Sequence, residues 1–210
     1  MTARKKLWLF SVLIYGAFVF WYTDFSGPLS DAEIQDWKST MQSNGATPER
    51  IAYFETFFRE DTGRQFLMFN AIDLNKNPPT VEGAEPGENA DQLMGRYMEH
   101  MLAEFLGRAC HPVITGTAVF SAFDLAGIEG AENWDQGAIV RYRSRRDIMH
   151  IIANPTTLEK HKFKVAALEK TIAYPIEPGF YLGDLRWLLG LVLLAITALL
   201  DIRLLTRQQS

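Results

Sequence analysis

Apolar residues form two unbroken runs near the ends of this chain and a periodic pattern between them. Residues 7–22 read LWLFSVLIYGAFVFWY and follow Arg4, Lys5 and Lys6; residues 187–200 read WLLGLVLLAITALL, between Arg186 and Asp201. A bilayer core takes about 20 apolar residues in a helix, so each run is slightly short. Snorkelling lysines, with Trp21 and Tyr22 at the interface, extend the first. Tyr181, Leu182, Leu185, Ile202, Leu204 and Leu205 extend the second. Both runs are therefore expected to span the lipid bilayer. The first also has the charged and apolar regions of a cleaved secretory signal. No small-x-small site follows it in FWYTDFSGP, which favours an uncleaved anchor. Arg4, Lys5, Lys6, Arg203 and Arg207 place both termini in the cytoplasm. Residues 24–183 then lie on the periplasmic or extracytoplasmic side.

Between the runs, Ser30 with Glu33 makes a capping box ahead of Ile34, Trp37 and Met41. Thr47-Pro48 starts a second helix, with Ile51, Phe54, Phe57 and Phe58 as its apolar stripe. These two helices are expected to brace the domain against the membrane. Residues 65–74 predict a strand, closed by the Pro/Gly-rich loop 75–89. Residues 90–107 predict a helix, with Leu93, Tyr97, Met101 and Phe105 at a spacing of four. Strands are expected over 112–123 and 137–143, then a helix from Ser144 to about residue 153. Asn154-Pro155 interrupts it, a further helix runs to about residue 170, and 171–176 makes the last strand.

The order β-α-β-β-α-β is the ferredoxin-like split βαβ, an α+β fold. Right-handed crossovers put both helices on one face of a four-stranded antiparallel sheet. The other face carries apolar residues that a second copy or a ligand has to cover. The chain divides into an N-terminal transmembrane anchor (1–23), a helical extension (24–63), the ferredoxin-like domain (64–179) and a C-terminal transmembrane helix with its tail (180–210).

Net charge of −4 weighs against a nucleic-acid partner. Cys110 is the only cysteine, which excludes an intrachain disulfide and a Cys-rich metal site. The P-loop, G-x-G-x-x-G, G-x-S-x-G and H-E-x-x-H signatures are absent.

His111-Pro112-Val113 with Gly116, then Ile139 to Ser144 (IVRYRS), then Asn154-Pro155, carry a resemblance. Over residues 65–174 the chain resembles the dimeric α/β-barrel superfamily, in particular domains of the DUF1330 type. The resemblance implies a strand ending at a helix-capping Ser144, a helix broken at Asn154-Pro155, and a homodimer. In haem-degrading members of the superfamily, His161 resembles the position of the axial histidine and Asn70 that of an asparagine on the first strand. The aromatic residue that distorts the haem there has no counterpart, since Ile151 or Ile152 falls at its place.

On the residues themselves, His161 shares a helical face with Leu158, Val165 and Leu168, which points it toward the apolar side. Arg141 shares a strand face with Arg143 and Ile139; it either grips a carboxylate bidentately or closes an ion pair. The basic run 141–146 either touches lipid headgroups or is a solvated strand end. His100 and His111, with Cys110, Glu99 and Glu104, lack metal-ligand spacing, and no metal is expected. Glu129, Glu132 and Asp135 around Trp134 read as a solvated loop. The ligand-binding candidates are thus Asn70, Tyr97, Arg141 and His161. Two functions follow. One is a membrane-anchored interaction or small-molecule-binding module without resident cofactor, acting as a homodimer or as an accessory subunit of a membrane complex. The other is an enzyme of cofactor-light monooxygenase, isomerase or haem-degrading type, with its site between sheet and helices.

Overall fold

A computed structural model describes residues 1–209. In chain order its elements are α1 (Ala3–Tyr22), α2 (Asp31–Ser43), α3 (Pro48–Arg59), β1 (Phe66–Leu74), α4 (Ala90–Gly107), β2 (His111–Thr117), β3 (Gln136–Tyr142), α5 (Arg145–Ala153), α6 (Pro155–Ala167), β4 (Leu168–Ile176) and α7 (Leu185–Gln209). They fall into two compact units: one comprises Met1–Phe25 with the chain from Pro178 onward, the other Ser26–Glu177.

In the terminal unit α1 and α7 pair antiparallel, and the pairing can be read contact by contact. Arg4 forks onto Asp201, with Nε donating to Oδ1 at 2.6 Å and Nη2 to Oδ2 at 2.8 Å. The Ser11 and Thr197 hydroxyls lie 2.6 Å apart. Gly190 admits the Tyr15 ring, which would stand 3.3 Å from any Cβ added there. Near the other end Arg186 Nη1 donates to Thr23 Oγ1 at 3.2 Å. Thr197 and Asp201 are buried, while Leu9, Phe10, Leu13, Leu191, Leu194 and Leu199 are exposed. The polarity is inverted relative to a hairpin that folds in water.

Two spanning helices were expected; among the described residues one helix, Leu185–Arg207, is long and apolar enough by itself to cross a membrane. The shortfall in α1 has a simple cause. Arg4, Lys5 and Lys6 occupy its first turn, so its apolar part is residues 7–22, about 24 Å of helix at the usual rise.

The second unit is built on a four-stranded sheet in the order β2-β3-β1-β4, every neighbouring pair antiparallel. That is the ferredoxin-like topology. Strand alternation sends Phe66, Met68 and Asn70 of β1 to the face that also holds Val140 and Tyr142 of β3. Phe66 stacks on Tyr142 at 4.9 Å, and Phe105 of α4 meets Tyr142 edge-on at 5.5 Å. The opposite face carries Phe69, stacked on Tyr174 at 5.5 Å, together with Ile139 and Ile114. Tyr174 and Ile114 are largely exposed.

The helical extension does more than the expected bracing. Ile34, Trp37, Met41, Ile51 and Phe58 belong to the same core cluster as Phe66, Met101, Phe105, Tyr142 and Ile148. Both helices start where their caps say: Ser30 and Glu33 form the reciprocal capping box, and Thr47 accepts from the Arg50 N–H ahead of Pro48. Their apolar stripes are long enough to finish a core that two crossover helices leave open.

Two boundaries differ from the sequence pattern. Strand β2 ends at Thr117 rather than near 123, because its partner β3 begins only at Gln136. Residues 118–135 leave the sheet as an arm, tied by Ala118 N–H to the Asp135 carbonyl and Ala122 N–H to the Glu132 carbonyl, both at 2.8 Å. Its Val119 and Phe123 are each 96% exposed. Helix α6 stops at Ala167, so β4 starts three residues earlier than its apolar alternation indicates.

Nor is the basic run 141–146 solvated. Arg143 forks onto Asp147, with Nη2 donating to Oδ1 at 2.7 Å and Nε to Oδ2 at 2.9 Å. Arg145 donates to the Phe57 carbonyl and to Glu177, and Arg146 Nε donates to Glu33 at 2.6 Å. The Arg146 guanidinium, with the Ser30 cap, holds the Glu33 carboxyl down at about 2. These arginines fasten α2, α3 and the chain around residue 177 to the start of α5.

If α3 is part of the core, Phe58→Ala should destabilise the whole domain. Phe58 is fully buried, and removing such a ring costs about 3–5 kcal/mol. Urea unfolding of the full chain in mild detergent should show that loss in the midpoint; an unchanged midpoint would return α2 and α3 to the role of spacers.

Candidate functional site

The helical face of the sheet is not filled completely. A cavity of about 300 Å³ lies between α3, the centre of the sheet, α4, α5 and α6. Its walls are apolar: Phe54 and Phe57 come from α3, Met68 from β1, Met101 from α4, and Ile148 with Ile151 from α5. Met101, Tyr142, Ile148 and Ile151 are buried and form its depth, whereas Arg50, Tyr53, Ala173 and Pro175 are exposed and form its rim. The space exists because α3 lies over the sheet on bulky aromatic residues while β4 offers only Ala173 and Pro175 beneath them.

Three of the four sequence candidates meet here. Asn70 lines the cavity from β1, and its Nδ2 donates to the Met68 carbonyl at 3.1 Å. Tyr97 and His161 face each other edge to face, with ring centroids 6.3 Å apart. The fourth is elsewhere. Arg141 is on the opposite sheet face, fully buried, with Nε donating to Gln65 Oε1 at 2.7 Å and Nη1 to the Ala109 carbonyl at 2.6 Å. Ala109, just past the end of α4, is the one non-glycine residue with positive φ (54°) among the described residues. Arg141 thus holds a backbone position that alanine adopts at a cost, and it has no access to a ligand.

The helical face of His161 also differs from the expected one. Leu158, His161 and Lys164 line the cavity, while Val165 is exposed. The cause is the second small core: Phe163, Ala166 and Ala167 are buried with Ala90 and Leu93, which rotates α6 so that the 158-161-164 strip faces the sheet. Lys164 and Arg50 were not picked out from the sequence. Lys164 lies one turn beyond His161 on the same strip, and that spacing is the one signal that marks it. Arg50 had none, because α3 was not expected to touch the site.

The electrostatics follow from burial. Desolvation lowers the His161 pKa, and the positive charges of Lys164 and Arg50 add to the effect. Burial also lowers the Lys164 pKa, and it pushes the Tyr97 hydroxyl up to about 12. The site therefore holds the imidazole and the phenol toward their neutral forms, beside the two basic side chains Arg50 and Lys164. None of the lining residues is an aspartate or glutamate.

The remaining histidines serve structure or solvent. His100 Nε2 lies 2.9 Å from the Thr157 hydroxyl, bridging α4 and α6, and His150 is exposed. No group of His, Cys, Asp or Glu that could hold a metal occurs among the described residues. The cavity is at the low end of the range for small-molecule sites, and the Tyr97 ring lies beside the His161 imidazole.

No family model matches the chain, so the resemblance to DUF1330-type domains gains no support there. No curated protein matches it either. Among solved structures, the chain is similar to a protein of unknown function from Rhodopseudomonas palustris, a structural-genomics target, at 23% identity and a TM-score of 0.51. The match covers 64% of this chain and 95% of that one. The methylated form of the same protein gives 22% identity and a TM-score of 0.52, over 64% and 93%. At these identities the likeness shows a shared fold and says nothing of function.

The lowered His161 pKa has a measurable consequence. The folded chain keeps the imidazole neutral to lower pH than the unfolded chain does, so stability is lost as pH falls through the unfolded value of about 6.5. Melting of the wild type should drop more steeply between about pH 7 and pH 5 than melting of His161→Gln. Parallel curves would mean that His161 titrates alike in both states.

Proposed function

We propose that this chain is a membrane-tethered small-molecule-binding module, with the cavity of residues 26–177 as its site. One observation carries the reading: every layer of the unit contributes a wall to a single, mostly apolar cavity with a few convergent polar groups. Cores of this density normally close such a space. Ala173 is exposed at the rim, so Ala173→Trp should plug the mouth while leaving stability within about 0.5 kcal/mol. Phenylbutanol, observed by saturation-transfer NMR with the full chain in lipid nanodiscs and empty nanodiscs as blank, should bind the wild type and not the plugged variant. Equal signals from both would remove the cavity as the site.

For the tether, we propose that α1 crosses the bilayer together with α7. The antiparallel contacts from Arg4–Asp201 to Thr23–Arg186 support this, since they satisfy polar side chains inside the pair and leave apolar ones outside. Membrane helix pairs are held in this way, by small residues and internal hydrogen bonds. Pairing also brings Arg4, Lys5 and Lys6 to the same end as Arg203 and Arg207, the end expected to be cytoplasmic. Lys76 and Thr206 are exposed and Cys110 is buried, so a membrane-impermeant maleimide should label Lys76→Cys from outside. Thr206→Cys should react only after permeabilisation. The reverse pattern would overturn the orientation.

We propose a second copy of the chain as the cover for the open sheet face. Phe69, Tyr174, Ile139 and Ile114 make a flat apolar surface there, and the arm 118–135 of the same chain ends in exposed Val119, Phe120 and Phe123. A twofold pairing closes on itself, and tethering in two dimensions raises the local concentration.

A further inference from the structure

Resting on the reading of the cavity as a ligand site, we propose that its ligand is an organic carboxylic acid. Its carboxylate is held at the rim by Arg50 and Lys164, and its apolar body lies against Met101, Ile148 and Ile151.

The charge around the cavity is one-sided. Arg50 and Lys164 come from α3 and α6, and both fields reach His161 between them. No carboxylate lines the cavity, and neither cation makes an ion pair with a described residue. Each contacts a ring instead: the Arg50 guanidinium lies 5.9 Å from the Phe54 ring centre, and Lys164 Nζ lies 5.7 Å from that of Tyr97. Lys160 and Lys162 on α6 likewise lie over a ring, that of Phe163, whereas two cations of α2 and α3 are paired. Lys38 pairs with Glu55 at 2.6 Å, and Arg59 pairs with Asp31 at 2.7 Å.

A half-buried ammonium without a counterion is unfavourable, and an anion entering the cavity relieves it. The form of the site narrows the class of anion. One planar guanidinium fork and one ammonium match a planar monoanion, and the Tyr97 hydroxyl, kept protonated by burial, is a further donor. The depth beyond this rim offers aliphatic and thioether side chains, which suit an apolar body. A dianionic phosphate would meet too few donors for its oxygens, and a cation would meet repulsion.

The test uses ligands that differ only at the head. Phenylbutyrate, phenylbutanol, phenylbutylamine and phenylpropylphosphonate are titrated into the full chain in lipid nanodiscs, with empty nanodiscs as blank. The acid should bind at least about tenfold more tightly than the alcohol, the value expected of one charge-assisted contact. Lys164→Met, alone and with Arg50→Gln, should bring the acid to the affinity of the alcohol and leave the alcohol unchanged. Equal binding of acid and alcohol to the wild type would overturn the carboxylate assignment while the apolar cavity stands. Tightest binding by the amine or the phosphonate would also overturn it. Binding of none of the four would remove both readings. The wild-type comparison alone decides if a variant fails to fold.

Discussion

Phe66 lies flat on Tyr142 across neighbouring strands, 4.9 Å apart and 2° from parallel, and the helical side of the domain is assembled on that pair. Phe57 of α3 meets Phe66 edge-on at 5.6 Å, and Phe105 of α4 meets Tyr142 edge-on at 5.5 Å. Trp37 of α2 then packs on Phe58 at 4.9 Å. Two helices from before the sheet and one from within it are thereby bound to one end of β1 and β3. Toward Asn70 and Ala173 the cavity opens, because Phe54 and Phe57 of α3 stand there over the small Ala173 and Pro175 of β4. The position of the site is therefore a consequence of where bulky residues on α3 face small ones on the sheet.

Much of the fold was legible because its boundaries are chemical. Ser30 with Glu33, Thr47-Pro48, Ser144 and Asn154-Pro155 each satisfy backbone groups locally, and each helix begins where its cap stands. Strand order followed from element order and handedness. What the sequence hid is what depends on partners. The apolar alternation of β2 continues past Thr117, but a strand ends where its neighbour ends. Asn70 and His161 could be chosen because they interrupt apolar stripes, and Tyr97 because it brings a hydroxyl into one. Arg141 interrupts one as well, yet its partners are the side chain of Gln65 and the carbonyl of Ala109, 76 and 32 residues away in the chain. No local pattern distinguishes a buried structural arginine from one that faces a ligand. Lys164 and Arg50 became visible only once the rotation of α6 and the docking of α3 were known.

The two units solve opposite solvation problems with the same residue types. In residues 26–177 the core clusters are aromatic and aliphatic, and most charges lie outside them, Arg141 and Asp147 excepted. In the α1–α7 pair, Thr197 and Asp201 are inside with Ser11 and Arg4, and leucines line the exterior. Placed in lipid, as proposed, such a pair keeps its internal hydrogen bonds free of competing solvent. The shortness of the α1 apolar run matters less in a pair than in an isolated helix. Its first-turn arginine is neutralised by Asp201 rather than left to reach the headgroups alone.

Charge pairing in residues 26–177 sets the site apart. Arg143, Arg145 and Arg146 each have a carboxylate within 4 Å, and the contacts of Arg145 and Arg146 tie distant segments together. An ion pair of this kind is worth little at the surface and is conformationally specific when half-buried. Arg50 and Lys164 tie nothing together. They bring positive charge to a wall where burial already disfavours the charged form of His161 and Lys164, a cost offset inside the fold only by ring contacts with Phe54 and Tyr97. The proposed carboxylate would relieve that cost, and the apolar depth of the cavity matches its proposed organic body.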